Sequence, residues 1–273
     1  GNVLLDEPMS KHITFRVGGK AACFIEICRE NQLIDVIKLI NEAGDIPYYI
    51  IGNGSNMLVT DEGYDGLIIK IAGRFSDVQI YDCKVVAKAG AMLVRTAKQA
   101  YEECLSGMEC LSGIPGTIGG AVAMNAGAYG AEIKDIIVSA KVLDRETGEV
   151  LVLEKDELNL GYRHSVIMEK NYIVLEATFF LQHGKKEDIK ASMDKCTAMR
   201  KEKQPLEYPS AGSTFKRPEG YFAGKLIQDA GLRGYTSGGA QVSEKHCGFV
   251  INTGNATATD VLTLIKDVQE KVN

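Results

Sequence analysis

Apolar residues recur at helical spacing through Leu33, Ile34, Ile37 and Ile40, with Asn31 in front as a cap and Gly44 behind as a stop. Runs of strand character lie on either side, at 21–27 and 48–51, so this part of the chain predicts a compact βαβ unit. Gly52-Asn53-Gly54-Ser55-Asn56 follows, and 57–59 and 67–71 again read as strand. Beyond residue 77 strand-like runs dominate, at 78–81, 85–89, 136–143, 150–153 and 172–181. A helix at 93–104 and a glycine-rich stretch interrupt them, which is the pattern of a mostly antiparallel α+β subdomain. A polar helix at 187–201 leads to Gln204-Pro205, a boundary by its charge run and its proline. Past it come a short helix at 224–230 stopped by Gly231 and a strand at 248–252. A last helix is capped near Thr257 or Thr259, with a stripe of Val261, Leu262, Ile265, Val268 and Val272. The reading is an α+β chain divided at 1–71, 72–203 and 204–273, with no internal repeat.

Composition narrows the class. A net charge of −5 argues against a broad nucleic-acid-binding face. Neither a leader-like segment nor an apolar run of membrane-spanning length is visible, so a soluble cytoplasmic protein with no membrane partner is expected. A monomer is expected as well, although the sequence itself does not give the oligomeric state. The seven cysteines are odd in number and form no CxxC pair, which fits free thiols in a reducing compartment rather than a disulfide framework or a zinc site.

Glycine placement carries the first chemistry. Gly52-Asn53-Gly54-Ser55-Asn56 lacks the third glycine and the immediate helix of a Rossmann dinucleotide fingerprint. Its glycines allow close backbone approach and its N–H groups can converge on a phosphate; a plain Gly/Asn turn is the alternative. The second segment runs Gly113-Ile114-Pro115-Gly116-Thr117-Ile118-Gly119-Gly120-Ala121 and continues into Asn125-Ala126-Gly127-Ala128-Tyr129-Gly130. Seven glycines fall between Gly107 and Gly130, interleaved with apolar residues instead of serines, so it is no flexible linker. A mostly apolar wall exposing its backbone suits a flat aromatic ligand with a pyrophosphate tail, and a crowded core turn is the alternative.

Polar candidates lie elsewhere. Tyr162 and Arg163 sit between strands, and the arginine offers a planar fork for a carboxylate or for charge developing beside one. His164 is a further titratable neighbour, although a lone histidine is more often an ordinary surface residue. Ser213 lies near Lys216 and Arg217, with no Asp-His pair placed to make it a nucleophile; as a proton donor it would fit, and a serine turn is the alternative. Lys225, Lys245 and His246 add positive or donor character to the last third, as an anionic substrate would require.

In this order the segments resemble the UDP-N-acetylenolpyruvoylglucosamine reductase family. The likeness rests on Pro8-Met9-Ser10-Lys11-His12-Ile13-Thr14-Phe15-Arg16-Val17-Gly18-Gly19, on the two glycine segments with Met57-Leu58 and Ser112, on Tyr162-Arg163, on Gly212-Ser213 and on Ala230-Gly231-Leu232-Arg233-Gly234. It implies a two-subdomain FAD-binding module of the vanillyl-alcohol-oxidase (PCMH) type plus a small α/β substrate-binding domain. It also implies non-covalent FAD, NADPH as co-substrate and reduction of the enolpyruvyl ether of UDP-N-acetylglucosamine to UDP-N-acetylmuramate in peptidoglycan synthesis.

By the same resemblance Arg163 stabilises the charge that builds next to the substrate carboxylate, and Ser213 returns a proton. Gly52, Asn53, Gly54, Ser55 and Asn56 would hold FAD together with Gly113, Ile114, Pro115, Gly116, Thr117, Gly119, Gly120, Ala121, Asn125, Gly127, Ala128, Tyr129 and Gly130. Tyr162, Arg217, Lys225, Lys245 and His246 would meet the substrate. The short interval from Arg163 to Ser213 matches the branch lacking a substrate-capping loop, and Arg217 stands where the other branch has Asn. The family's third catalytic residue is a glutamate beyond the last helix, and no residue of this sequence is assigned to it. Another FAD oxidoreductase of the same fold, or a nucleotide-sugar-binding protein without chemistry, are the competing readings.

Overall fold

The computed structural model describes residues 2–272. The chain packs as two compact units, each assembled from separated segments. One holds Ile25–Gly52 and Leu67–Ala198 with residues 2–3; the other holds Leu4–Phe24, Asn53–Gly66 and residues 199–272. Among the described residues no helix is long and apolar enough to cross a membrane.

The first unit is built on a five-stranded sheet in the order Val150–Glu154, Ile137–Asp144, Tyr172–Phe180, Lys84–Lys88, Val78–Tyr81, with every neighbour antiparallel. Alternation in the strands puts one face inward: Ala177 stands opposite Ala87 and Phe179 opposite Val85, and all four are buried. Phe75, Met108, Leu111 and Ile118 complete this core, so the second glycine segment is anchored in it by its apolar members.

A helix at Glu30–Ala43 buries Leu33, Ile37 and Ile40 of the stripe read from the sequence, with Ile34 partly buried, and Gly44 ends it at φ 67°. Its start differs from expectation. The N-cap position is Arg29, and Asn31 lies inside the first turn, where its side-chain oxygen accepts the Gln32 N–H at 3.0 Å. What ties this end down is charge: Glu30 meets Lys88 at 2.9 Å and also meets Lys141, both on the sheet. Burial alone would raise the Glu30 carboxyl, but the two ammonium groups outweigh it and hold the carboxyl below the usual carboxylate range.

The strands flanking this helix do not pair with each other. The second sheet runs Val3–Pro8, Lys20–Ile27, Tyr64–Ile71, Tyr48–Ile51, and Tyr48–Ile51 lies parallel to Tyr64–Ile71. The helix therefore crosses over one intervening strand. Residues 57–59, expected as strand, are irregular. Here Gly18 passes so close to Val59 that an added Cβ would lie 2.7 Å from the Val59 carbonyl oxygen, a crossing that leaves no room for a paired ladder.

The second unit carries the sheet Ser210–Ser213, Phe249–Asn252, Ala240–Val242, Thr236–Ser237, again antiparallel throughout. The helix Ala258–Val272 is capped at Thr257, whose hydroxyl accepts the Asp260 N–H at 3.0 Å while Asp260 accepts the Thr257 N–H at 2.9 Å. Asp61 adds a cap from far along the chain, accepting the Ala258 and Thr259 N–H groups at 2.8 Å each. Those bonds, the Thr259 hydroxyl foremost, keep the Asp61 carboxyl below its ordinary range. The buried stripe is Val261, Leu264 and Val268; Leu262, placed in the stripe from the sequence, is 47% exposed.

The expectation of seven free thiols is corrected. Cys110 and Cys196 are joined as a disulfide, 86 residues apart in sequence with their Cα atoms 5.4 Å apart, while Cys23, Cys28, Cys83, Cys104 and Cys247 are free. Cys110 opens a short 3-10 turn and Cys196 lies on the helix Lys186–Lys203, so tertiary packing brings together what sequence spacing kept apart.

Candidate active site

The second glycine segment is a turn, a crossing and a short helix in succession. The 3-10 turn Cys110–Gly113 feeds an extended stretch, Thr117 stands at the N-cap position, and Ile118–Ala123 is helical. The stretch is fixed against the start of the helix Leu93–Glu102: Gly116 O accepts the Leu93 N–H at 2.9 Å, and the Ile118 and Gly119 N–H groups donate to Ala91 O and Ala89 O at 2.8 Å each. Gly119 lies on that crossing, where a Cβ would meet Ala89 Cβ at 3.1 Å.

Gly52 closes on the same place. A Cβ there would sit 2.1 Å from Thr117 Oγ1 and 2.9 Å from its Cγ2, so this contact admits only glycine. Gly120 and Gly130 differ in kind. A Cβ on Gly120 would meet Thr117 Oγ1 only at 3.8 Å, and one on Gly130 would meet nothing within 4 Å, so backbone at both faces open space. Of the expected FAD-contacting residues in this unit, Gly52, Thr117, Gly119 and Gly120 are thus brought together.

Arg163 is held against the far end of this segment. Its backbone is left-handed at φ 54°, its guanidinium donates to Asn125 O at 3.4 Å and Gly127 O at 3.2 Å, and it lies 5.2 Å over the Tyr162 ring. The side chain that makes this possible is Asn125, which is wholly buried. Its amide donates to Gly161 O at 2.9 Å and to Glu132 Oε2 at 3.1 Å, and its oxygen accepts the Lys134 N–H at 2.9 Å. Glu132 is in turn paired with the Lys134 ammonium at 2.7 Å, which holds its carboxyl below the usual range, Arg163 adding to the effect. The two carbonyls take part of the arginine's donors, and a planar five-donor group keeps others for a ligand.

In the second unit Ser213 is the exposed last residue of the strand Ser210–Ser213, in register with Phe249. Gly54 in that unit crosses His12, where a Cβ would lie 2.4 Å from the His12 carbonyl oxygen. Arg217 lies 4.6 Å over the Phe222 ring. The cations named from the sequence have acidic neighbours: Lys225 pairs with Asp229, and Lys245 lies 3.8 Å from Glu207. His246 accepts the Gly248 N–H on Nδ1 at 3.1 Å, and burial pushes its pKa down, which keeps the ring neutral. His164 meets Glu169 at 3.1 Å on the first unit.

Residues 204–273 match the family model described as UDP-N-acetylenolpyruvoylglucosamine reductase, C-terminal domain, and 21–154 match the FAD binding domain model. The UDP-N-acetylenolpyruvoylglucosamine reductase of Agathobacter rectalis is 56% identical across 99% of this chain and 89% of its own. That of Clostridium kluyveri is 50% identical over 99% of this chain and 88% of its own. The chain belongs to the UDP-N-acetylenolpyruvoylglucosamine reductase family. The crystal structure of the reductase from Thermus caldophilus superposes on 98% of this chain and 94% of its own, with a TM-score of 0.85 at 37% identity. The 6-hydroxy-D-nicotine oxidase of Arthrobacter nicotinovorans, with a TM-score of 0.50 over 67% of this chain and 42% of its own at 16% identity, is similar in fold alone.

Within this family frame, Glu132 and Lys134 are the neighbours that sequence reading passed over; seven and nine residues from Asn125, they carried no periodic or motif signal. Asn125 itself was placed among the cofactor contacts, and its side chain points into the protein. An Asn125→Ala variant leaves the Lys134 N–H without its partner and Gly161 O with only the His164 N–H at 3.3 Å, a loss of about 1–3 kcal/mol. A melting temperature lower by roughly 2–10 °C is the expected result in a thermal scan. A melting temperature equal to wild type would show that the Asn125 bonds do not hold the arginine loop.

Proposed function

We propose that this chain is an FAD- and NADPH-dependent oxidoreductase acting on a CH–CH bond, reducing the enolpyruvyl ether of UDP-N-acetylenolpyruvoylglucosamine to UDP-N-acetylmuramate for peptidoglycan synthesis. The observation that carries the reading is Arg163, anchored by its side chain on the carbonyls of the glycine segment whose Gly120 and Gly130 backbones face open space. That wall is apolar and lacks side chains at those points, which fits a planar ring system and its pyrophosphate. The residues Gly52-Asn53-Gly54-Ser55-Asn56-Met57 include neither His nor Cys, in keeping with a non-covalent cofactor.

Held on the glycine segments, FAD would supply the chemistry of hydride transfer from NADPH to the methylene carbon of the enolpyruvyl group. Hydride arrival at that carbon drives charge onto the carbon α to the carboxylate. Arg163, fixed before the reaction by Asn125 O and Gly127 O, is assigned to stabilise that charge without reorganising. Ser213 is assigned to deliver a proton to the α carbon, and Tyr162, Arg217, Lys225, Lys245 and His246 to bind the nucleotide sugar. The assignment of 1–71 and 72–203 as FAD-binding subdomains and 204–273 as the substrate domain goes with it. A monomer working in the cytoplasm is the setting, supported by a net charge of −5 and by soluble nucleotide substrates.

Anaerobic titration tests the reading. NADPH should bleach the yellow flavin, and the enolpyruvyl nucleotide should then restore the colour with one equivalent. A flavin that stays oxidised under NADPH would rule out the reductase; reduction by NADPH followed by reoxidation with O₂ alone, and none with the nucleotide, would favour an oxidase of the same fold.

A further inference from the structure

The tight turn Asp82-Cys83 of the hairpin between Val78–Tyr81 and Lys84–Lys88 lies beside the short strand Gln182–His183. Asp82 Oδ1 is 2.8 Å from His183 Nε2, and one ligand atom each from Asp82, Cys83 and His183 falls within 4.8 Å of the others. None of the three belongs to the candidate active site.

The backbone beneath them is fixed on both sides. Tyr81 pairs with Lys84 across the turn, and the Leu181 N–H donates to Cys83 O at 2.8 Å. His183 stands in register with Leu105, and the Gly184 N–H donates to Cys104 O at 2.9 Å. The three side chains therefore need only small rotations to converge.

We propose that Asp82, Cys83 and His183 form a surface binding site for a borderline-soft divalent cation of the Zn²⁺ class, with three protein ligands and a fourth position open to water. Metal–ligand lengths of about 2.0–2.3 Å in a tetrahedral site require ligand atoms roughly 3.3–3.8 Å apart, inside the observed spread. The His183–Asp82 contact opens by about half an ångström to admit the ion. Carboxylate, thiolate and imidazole together select Zn²⁺ over Mg²⁺ or Ca²⁺, which prefer oxygen alone. On binding, the Cys83 thiol loses its proton to buffer as the sulfur–metal bond forms, His183 ligates as neutral imidazole, and no oxidation or reduction is involved. The bound ion would clip the hairpin turn to the strand Gln182–His183.

The test uses the flavin-loaded protein, stripped with chelator and kept anaerobic so that Cys83 stays a thiol while the Cys110–Cys196 disulfide is left intact. Zn²⁺ is titrated against a chromophoric chelator and Co²⁺ by difference absorbance. One equivalent of Zn²⁺ should bind with release of one proton, and Co²⁺ should give a thiolate-to-cobalt charge-transfer band. Cys83→Ser should abolish the band, and His183→Ala should weaken Zn²⁺ about tenfold or more. Bleaching by NADPH should be the same in both variants as in wild type, which separates this site from the assigned reaction. Absence of stoichiometric binding would overturn the proposal, as would a band that persists in Cys83→Ser or wild-type affinity in His183→Ala; the pair would then be only an ion pair on the surface.

Discussion

A Ser213→Ala variant is expected to bleach with NADPH at the wild-type rate and to be reoxidised by the enolpyruvyl nucleotide about 10²–10⁴ times more slowly. The split follows from where the proton is needed. Reduction of the flavin by NADPH asks nothing of a proton donor aimed at the sugar nucleotide, whereas the second half-reaction leaves charge on the α carbon until a proton arrives. Ser213 is exposed at the end of its strand, so losing its hydroxyl removes no buried bond and the melting temperature should hold. Stopped-flow traces of the two half-reactions make the check. Equal loss in both would mean a folding or binding defect, and a wild-type reoxidation rate would remove Ser213 from the mechanism.

What could be read ahead of the structure follows from the range of each interaction. Leu33, Ile37 and Ile40 lie within three turns of one helix, and their period states the buried face directly. The antiparallel character of the middle sheet was also legible, because its strands alternate over a hydrophobic face. Leu264 was missed and Leu262 wrongly included for a subtler reason: both fit an apolar stripe, and only the packing of the sheet beneath picks the side. Strand order was out of reach, since the placement of Tyr64–Ile71 between Lys20–Ile27 and Tyr48–Ile51 depends on pairing, which a local pattern does not encode. The same holds for Asp61 capping a helix nearly 200 residues later and for Cys110 meeting Cys196.

At the site, the residue patterns marked Gly52, the glycine segment and Arg163 one by one, and only the family resemblance joined them around a ligand. The structure supplies two joints, Gly52 on Thr117 and Arg163 on Asn125 O and Gly127 O. The glycines, which looked alike as letters, separate by surroundings. Gly52 and Gly119 are glycine because protein crowds them, Gly130 because its backbone is left-handed at φ 88°, and Gly120 and Gly130 both border open space.

That distinction gives the second large effect. A Gly52→Ala variant puts a methyl group 2.1 Å from Thr117 Oγ1, 2.9 Å from Cγ2 and 3.0 Å from Cβ. Rotating Thr117 does not relieve the clash, because two of the three positions on its Cβ face Gly52 and every staggered rotamer leaves Oγ1 or Cγ2 in one of them. The backbone at 117 must shift, and Gly119 and Gly120 shift with it. Overpacking of this kind costs about 1–3 kcal/mol. If that displacement falls on the cofactor wall, FAD affinity drops roughly 5- to 150-fold, and the protein purifies pale. Thr117→Ala in the same chain removes Oγ1 and Cγ2 and leaves only the 3.0 Å approach to Cβ, so the double variant should regain most of the lost affinity. Measuring FAD binding by flavin fluorescence in the four members of this cycle decides it. Wild-type affinity in Gly52→Ala would show that the joint is not part of the cofactor wall. A loss that Thr117→Ala does not repair would place the damage in the Gly52 backbone itself, away from the threonine.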